Sequence, residues 1–160
     1  KERMNRPKIH LRPLRAHDLD AIMQLHRELG WNPAFQADGS TLRQRLDALT
    51  TEEDALLLVA ELEGDVVGYV HGEIVTYLLF AGREMLVSEL FVRQPARGHG
   101  VGTALMAAIE AEAVKRKCFR ISVLNSRERE SYKRGFYPAL GYEERTQTAT
   151  FTKRLDWGQS

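Results

Sequence analysis

Gly98, Gly100 and Gly102 stand at alternate positions after an apolar run, Met85 to Val92, and open a helical stretch that begins at Val101. The run predicts a strand buried on both faces, and Pro95 prevents it from continuing. Glycine permits a tight turn and a close backbone approach to a ligand. The first amides of a helix have no internal partner and lie at the positive end of its dipole. A strand, a glycine-rich turn and a helix N-terminus together predict a site for phosphate or pyrophosphate. Spacing narrows the ligand. Thr103 stands where the dinucleotide pattern G-x-G-x-x-G has its last glycine, and no Gly-Lys-Ser/Thr follows to make a triphosphate loop. The plainer alternative is a turn that binds nothing, but spaced glycines cost helix stability without structural return.

Glu89 interrupts that apolar run, where a carboxylate is costly unless paired or useful. The residues leave two readings open, a structural ion pair with an arginine and a general base whose pKa burial raises toward neutrality. Glu73 is a second candidate base, or a ligand for a cationic substrate, and His71 shares its strand face. Cys118 opens an apolar strand with no activating base beside it and reads as packing. No metal site is expected.

The elements that position these residues follow from periodicity. Lys8 to Leu14 alternates as a first strand, and Asp18 to Leu29 puts Leu19, Ile22, His26 and Leu29 at helical spacing, with Gly30 as its end. Trp31 to Gly39 is a loop whose aromatics, Trp31 and Phe35, line a pocket or pack. Ser40 or Thr41 is expected to cap a second helix carrying Leu42, Leu46 and Leu49. Strands are predicted over Ala55–Leu62, Val66–Tyr77 and Phe119–Leu124, a helix over Val101–Lys117, and an irregular helix over Glu130–Leu140. Final strands are expected through Leu155. The order predicts an α/β fold with a mixed sheet.

The bulk numbers exclude several classes. The 160 residues fit one domain, and 23 basic against 22 acidic side chains give a formal net charge of +1, with no general pull toward nucleic acid or membrane. No apolar run reaches the roughly 18 residues of a membrane span. A single cysteine allows no internal disulfide, so a cytoplasmic location is expected. Residues 1–7 lack a signal-type apolar stretch and are expected to be disordered or tag-derived.

Arg97-x-x-Gly100-x-Gly102 resembles motif A of the Gcn5-related N-acetyltransferases, and Phe136-Tyr137-Pro138-Ala139-Leu140-Gly141-Tyr142 resembles that family's aromatic segment, in the same order. The resemblance implies a single domain with a mostly antiparallel central sheet flanked by helices, the acyl-CoA N-acyltransferase fold. It implies acetyl-CoA as co-substrate, with its pyrophosphate on Arg97, Gly98, His99, Gly100, Val101, Gly102 and Thr103, and its pantetheine arm along Leu90, Phe91 and Val92. An amine then attacks the thioester directly. Glu89 is implied as the base, acting through water, and Tyr137 as the acid at the sulfur. Proton transfer from a phenol to a thiolate runs uphill by roughly 2 kcal/mol, so a hydrogen bond in the transition state suffices. Many family members have an asparagine seven residues before the tyrosine. Here that position is Glu130, and Asn125 is the candidate CoA contact instead. The implied acceptor is a small-molecule amine, met by Trp31 and Glu73. A protein N-terminus or lysine, and a silent acyl-CoA sensor, are the alternatives. Homodimers are common in the family.

Overall fold

The computed structural model describes residues 7–31 and 36–158. Five strands form one sheet in the order β1-β2-β3-β4-β5: β1 Ile9–Pro13, β2 Ala55–Leu62, β3 Asp65–Val75, β4 Arg83–Val92 and β5 Cys118–Val123. The first four pair antiparallel, and β5 runs parallel to β4. A parallel pair needs a long crossover, and the helix α3, Val101–Lys115, supplies it. The mixed, mostly antiparallel sheet is the one the sequence implies.

Alternation along each strand divides the core between two faces. On one, the helices α1 (Leu19–Glu28) and α2 (Gly39–Leu49) pack Ile22, Leu25, Leu42 and Leu46 against Leu14, Val59, Tyr69 and Phe91. On the other, α3 buries Val101, Leu105, Met106, Ile109 and Ala113. Close contact there depends on Gly72, where an added Cβ would lie 2.9 Å from Met85 Sδ and 3.0 Å from Ile109 Cδ1. α1 is anchored by Asp18, only 3% exposed, which accepts two hydrogen bonds of 2.8 Å from the Arg12 guanidinium and one from the Arg15 amide.

Three local expectations change. The cap of α2 is Asp38, whose Oδ1 accepts from the Thr41 amide at 2.7 Å, so Ser40 and Thr41 lie inside the helix. The predicted Glu130–Leu140 helix is two short ones, α4 (Glu130–Lys133) and α5 (Phe136–Ala139), because Gly135 between them is left-handed at φ 68°. The final strands do not form. Residues 143–158 contain no strand, and Phe151 and Leu155 are exposed, so the apolar positions there have no ladder to join. The chain divides into two compact units, Lys1–Leu124, which holds the whole sheet, and Asn125–Ser160, which holds α4 and α5. No helix among the described residues is long and apolar enough to cross a membrane.

Candidate active site

β4 changes character halfway. Its pairing with β5 runs from Arg83, opposite Cys118, to Val87, opposite Val123, and goes no further. Against β3 the register passes from Val87 opposite Gly72 to Glu89 opposite His71, which leaves Ser88 as an extra residue. Such a bulge bends a strand and turns the following side chains to the other face. Glu89 therefore lies on the face of His71 and Tyr69, under α1, and Leu90 to Val92 continue without β5 beside them.

Beyond β4 the chain makes one short turn, Gln94–Ala96, before the glycines. Gly98 (φ 79°) and Gly100 (φ 83°) are both left-handed, a conformation costing other residues roughly 1–2 kcal/mol. Gly100 is the N-cap of α3, and its carbonyl accepts from the Ala104 amide at 2.9 Å. The amides of Val101, Gly102 and Thr103 precede that first helical bond and are open to an anion. No acidic residue occupies this first turn. Arg97 Nε donates to the Val92 carbonyl at 3.0 Å, tying the turn to the strand end. His99 Nδ1 donates to the Arg97 carbonyl at 3.1 Å.

Glu89 joins a chain of polar groups on the α1 face. Its Oε2 accepts from His71 Nδ1 at 3.3 Å. His71 is 8% exposed, and its Nε2 lies 3.3 Å from Glu73 Oε1, off the line of a hydrogen bond. Under α1, His26 Nε2 lies 2.7 Å from the Tyr69 hydroxyl. Burial pushes the Glu89 carboxyl up, but His71, His26 and Tyr69 outweigh it and hold the carboxyl below its ordinary range. The expectation of a raised pKa is therefore reversed, as is the expectation of an arginine partner. On β4 the glutamate paired with an arginine is Glu84, five residues earlier, 3% exposed and 2.7 Å from Arg120. Burial pushes the His26 pKa down, against the raising effect of the Glu89 charge.

His26 and Tyr69 are the residues that sequence reasoning missed. His26 was legible only as one position of an apolar helical stripe, and Tyr69 only as a strand aromatic. Trp31 is half exposed and meets the Phe91 ring edge-on at 6.4 Å, while Phe35 lies outside the described residues. Burial raises the Cys118 thiol, in keeping with a packing role.

Tyr137 and Asn125 belong to the second unit. Tyr137 packs edge-on against Phe136 at 5.0 Å and Tyr142 at 5.9 Å, and burial pushes its hydroxyl up. Asn125 Oδ1 accepts from Ser131 Oγ at 3.0 Å, and its buried Nδ2 has no hydrogen-bond partner among the described residues. Among those residues no cluster of three potential metal ligands occurs.

Known proteins place this arrangement. An uncharacterized N-acetyltransferase of Methanocaldococcus jannaschii is 30% identical over 135 residues, covering 84% of this chain and 78% of the relative. The fold matches glucosamine-6-phosphate N-acetyltransferase from Arabidopsis thaliana (TM-score 0.77, 17% identity, 93% of this chain and 99% of that one). It also matches the aminoglycoside N-acetyltransferase AAC(6')-Iy in complex with CoA (TM-score 0.76, 18% identity, 93% and 97% covered). The model of the acetyltransferase (GNAT) family matches residues 19–142, from the start of α1 through both motifs to Tyr142, and the chain belongs to that family.

Proposed function

We propose that the protein transfers the acetyl group of acetyl-CoA to a primary amine of a small molecule by direct attack. The observation that carries this is the second half of β4 and its turn. There a strand leaves its parallel neighbour and runs into two left-handed glycines and a helix start without acidic side chains. That arrangement suits a ligand with an extended polar arm and a pyrophosphate. The solved relatives support a small acceptor, one being a glucosamine-6-phosphate and the other an aminoglycoside N-acetyltransferase.

Acetyl-CoA supplies the activated acetyl group and its thiolate leaving group. The chain's own residues do the rest. Arg97 and the amides from Gly98 to Thr103 hold the pyrophosphate, Leu90, Phe91 and Val92 offer strand groups to the arm, and Asn125 offers its unpartnered amide. Glu89 stays ionised at neutral pH and accepts the amine's proton through a water. Tyr137 keeps its proton and donates a hydrogen bond to the departing sulfur. Trp31 and Glu73 meet the acceptor, with Glu73 suited to a cationic group.

Thermal melting with acetyl-CoA is the first test. Ligand at one hundred times its Kd stabilises the fold by about 2.7 kcal/mol. Thiol release against a panel of amines, aminoglycosides and amino sugars included, then identifies the acceptor. Stabilisation without release from any amine fits the silent sensor and sinks the enzyme reading.

A further inference from the structure

Glu89 meets His71 because of the bulge. In an unbroken ladder, Val87 opposite Gly72 would put Ser88 opposite His71 and Glu89 opposite Val70, on the α3 side of the sheet. The extra residue moves Glu89 into register with His71, and Ser88 Oγ donates to the His71 carbonyl at 3.4 Å across the irregularity. His71 is 8% exposed, with Tyr69 and Glu73 two positions to either side on the same strand face. An ionised carboxylate only accepts, so His71 Nδ1, 3.3 Å from Glu89 Oε2, carries a hydrogen and donates it. The other ring nitrogen, Nε2, is buried and has no hydrogen-bond partner among the described residues, although Glu73 Oε1 lies 3.3 Å away. Among those residues the ring therefore makes one hydrogen bond, and it falls on Glu89. The side chain it holds is 42% exposed, open to a reactant.

We propose that His71 is a positioning residue, whose Nδ1–H aims the Glu89 carboxylate at the acceptor's proton. The proposal rests on Glu89 being the group that receives that proton. His71 touches neither reactant and acts through its hydrogen bond to Glu89. Burial raises the Glu89 carboxyl, and His71 leads the groups that bring it back down. The other titratable and charged groups packed around the two are His26 on α1, Tyr69 and Glu73 on β3 and, between α1 and the end of β4, the Glu28–Arg93 pair at 3.0 Å.

Three substitutions separate the two ring nitrogens. In His71→Asn the amide nitrogen takes the position of Nδ1, in His71→Gln that of Nε2, and His71→Leu keeps the bulk without a donor. The Glu89 carboxyl is followed by 13C NMR through a pH titration of the free protein, alongside thiol release. In His71→Leu the midpoint moves to higher pH, because burial persists and a donor is gone. The kcat falls about tenfold with the KM for acetyl-CoA unchanged. His71→Asn returns both most of the way to wild type, and His71→Gln stays close to His71→Leu. If His71→Leu does not fold, the two amide variants carry the test, and the proposal requires them to differ. A Glu89 midpoint unmoved in every variant, or the same in His71→Asn and His71→Gln, overturns the positioning role, because a ring that only fills space makes the two amides equivalent. Midpoints that move as stated, in a protein that acetylates no amine, uphold the hold of His71 on Glu89 and overturn the enzymatic reading.

Discussion

The two halves of β4 handle the same problem, a glutamate on a mostly buried strand, in opposite ways. Glu84 lies where β5 is paired, with its side chain 4% exposed and its charge met by Arg120 at 2.7 Å. Arg120 in turn lies over the Phe119 and Phe80 rings at 4.9 and 5.5 Å. Glu89 lies past the bulge, 42% exposed, and is met by the imidazole of His71 at 3.3 Å. A guanidinium holds a carboxylate permanently, whereas an imidazole orients it and leaves lone pairs for other work. One strand thus carries one acid held by a guanidinium and one held by an imidazole.

Glu89→Gln is the change that breaks the comparison most. It keeps an acceptor for His71 and removes the proposed base, so kcat/KM is expected to fall about 100-fold. The melting temperature drops only slightly. Equal activity in the variant removes Glu89 from the chemistry.

Glu84→Ala is the mirror experiment. It leaves Arg120 without its partner, although that side chain is one-third exposed and can turn to water. A loss of about 2 kcal/mol in urea unfolding is expected, with kcat and KM unchanged at temperatures where the variant is folded. A kinetic defect larger than the stability defect would mean that the halves of β4 are not separate.

How much of this was legible in the sequence follows from where the information lies. The glycine turn was, because φ above zero is written into residue type. The strands β2 and β5 were, because a short apolar run bounded by turn residues is a local signal. The face of Glu89 was not. Residues 84 and 89 differ by an odd number and in a regular strand point opposite ways. The bulge at Ser88 reverses this, and bulges depend on the neighbouring strand. Glu84 itself escaped notice because the apolar run was counted from Met85. The absent C-terminal strands teach the same point from the other side: a pattern without a partner makes no ladder.

Gly100→Ala sharpens the comparison at the far end of the strand. A Cβ there meets only Ile9 Cδ1, at 3.9 Å, so space is not the difficulty. The cost is the left-handed backbone at φ 83°, about 1–2 kcal/mol, which the turn relieves by moving. Acetyl-CoA affinity measured by calorimetry is expected to fall about tenfold, with kcat nearly unchanged. Unchanged affinity would remove the turn from the binding site.

The smallest effect is a pH dependence that belongs to one half of β4. Burial pushes the Glu84 carboxyl up, but Arg120, Ser122 and Tyr77 together hold it below its ordinary value. The folded protein therefore binds fewer protons at this site than the unfolded chain. Its contribution to stability is fully present above the unfolded value, about pH 4.3, and is lost as pH falls through the lower folded value. Urea melts of wild type and Glu84→Gln should accordingly differ most near neutrality. The difference should shrink below about pH 4.3, by at most about 1.4 kcal/mol per pH unit. Glu89→Gln should show the same sign with a shallower slope, because water already screens its half-exposed carboxylate. A steeper slope for Glu89 than for Glu84 would reverse the assignment of which acid the fold depends on.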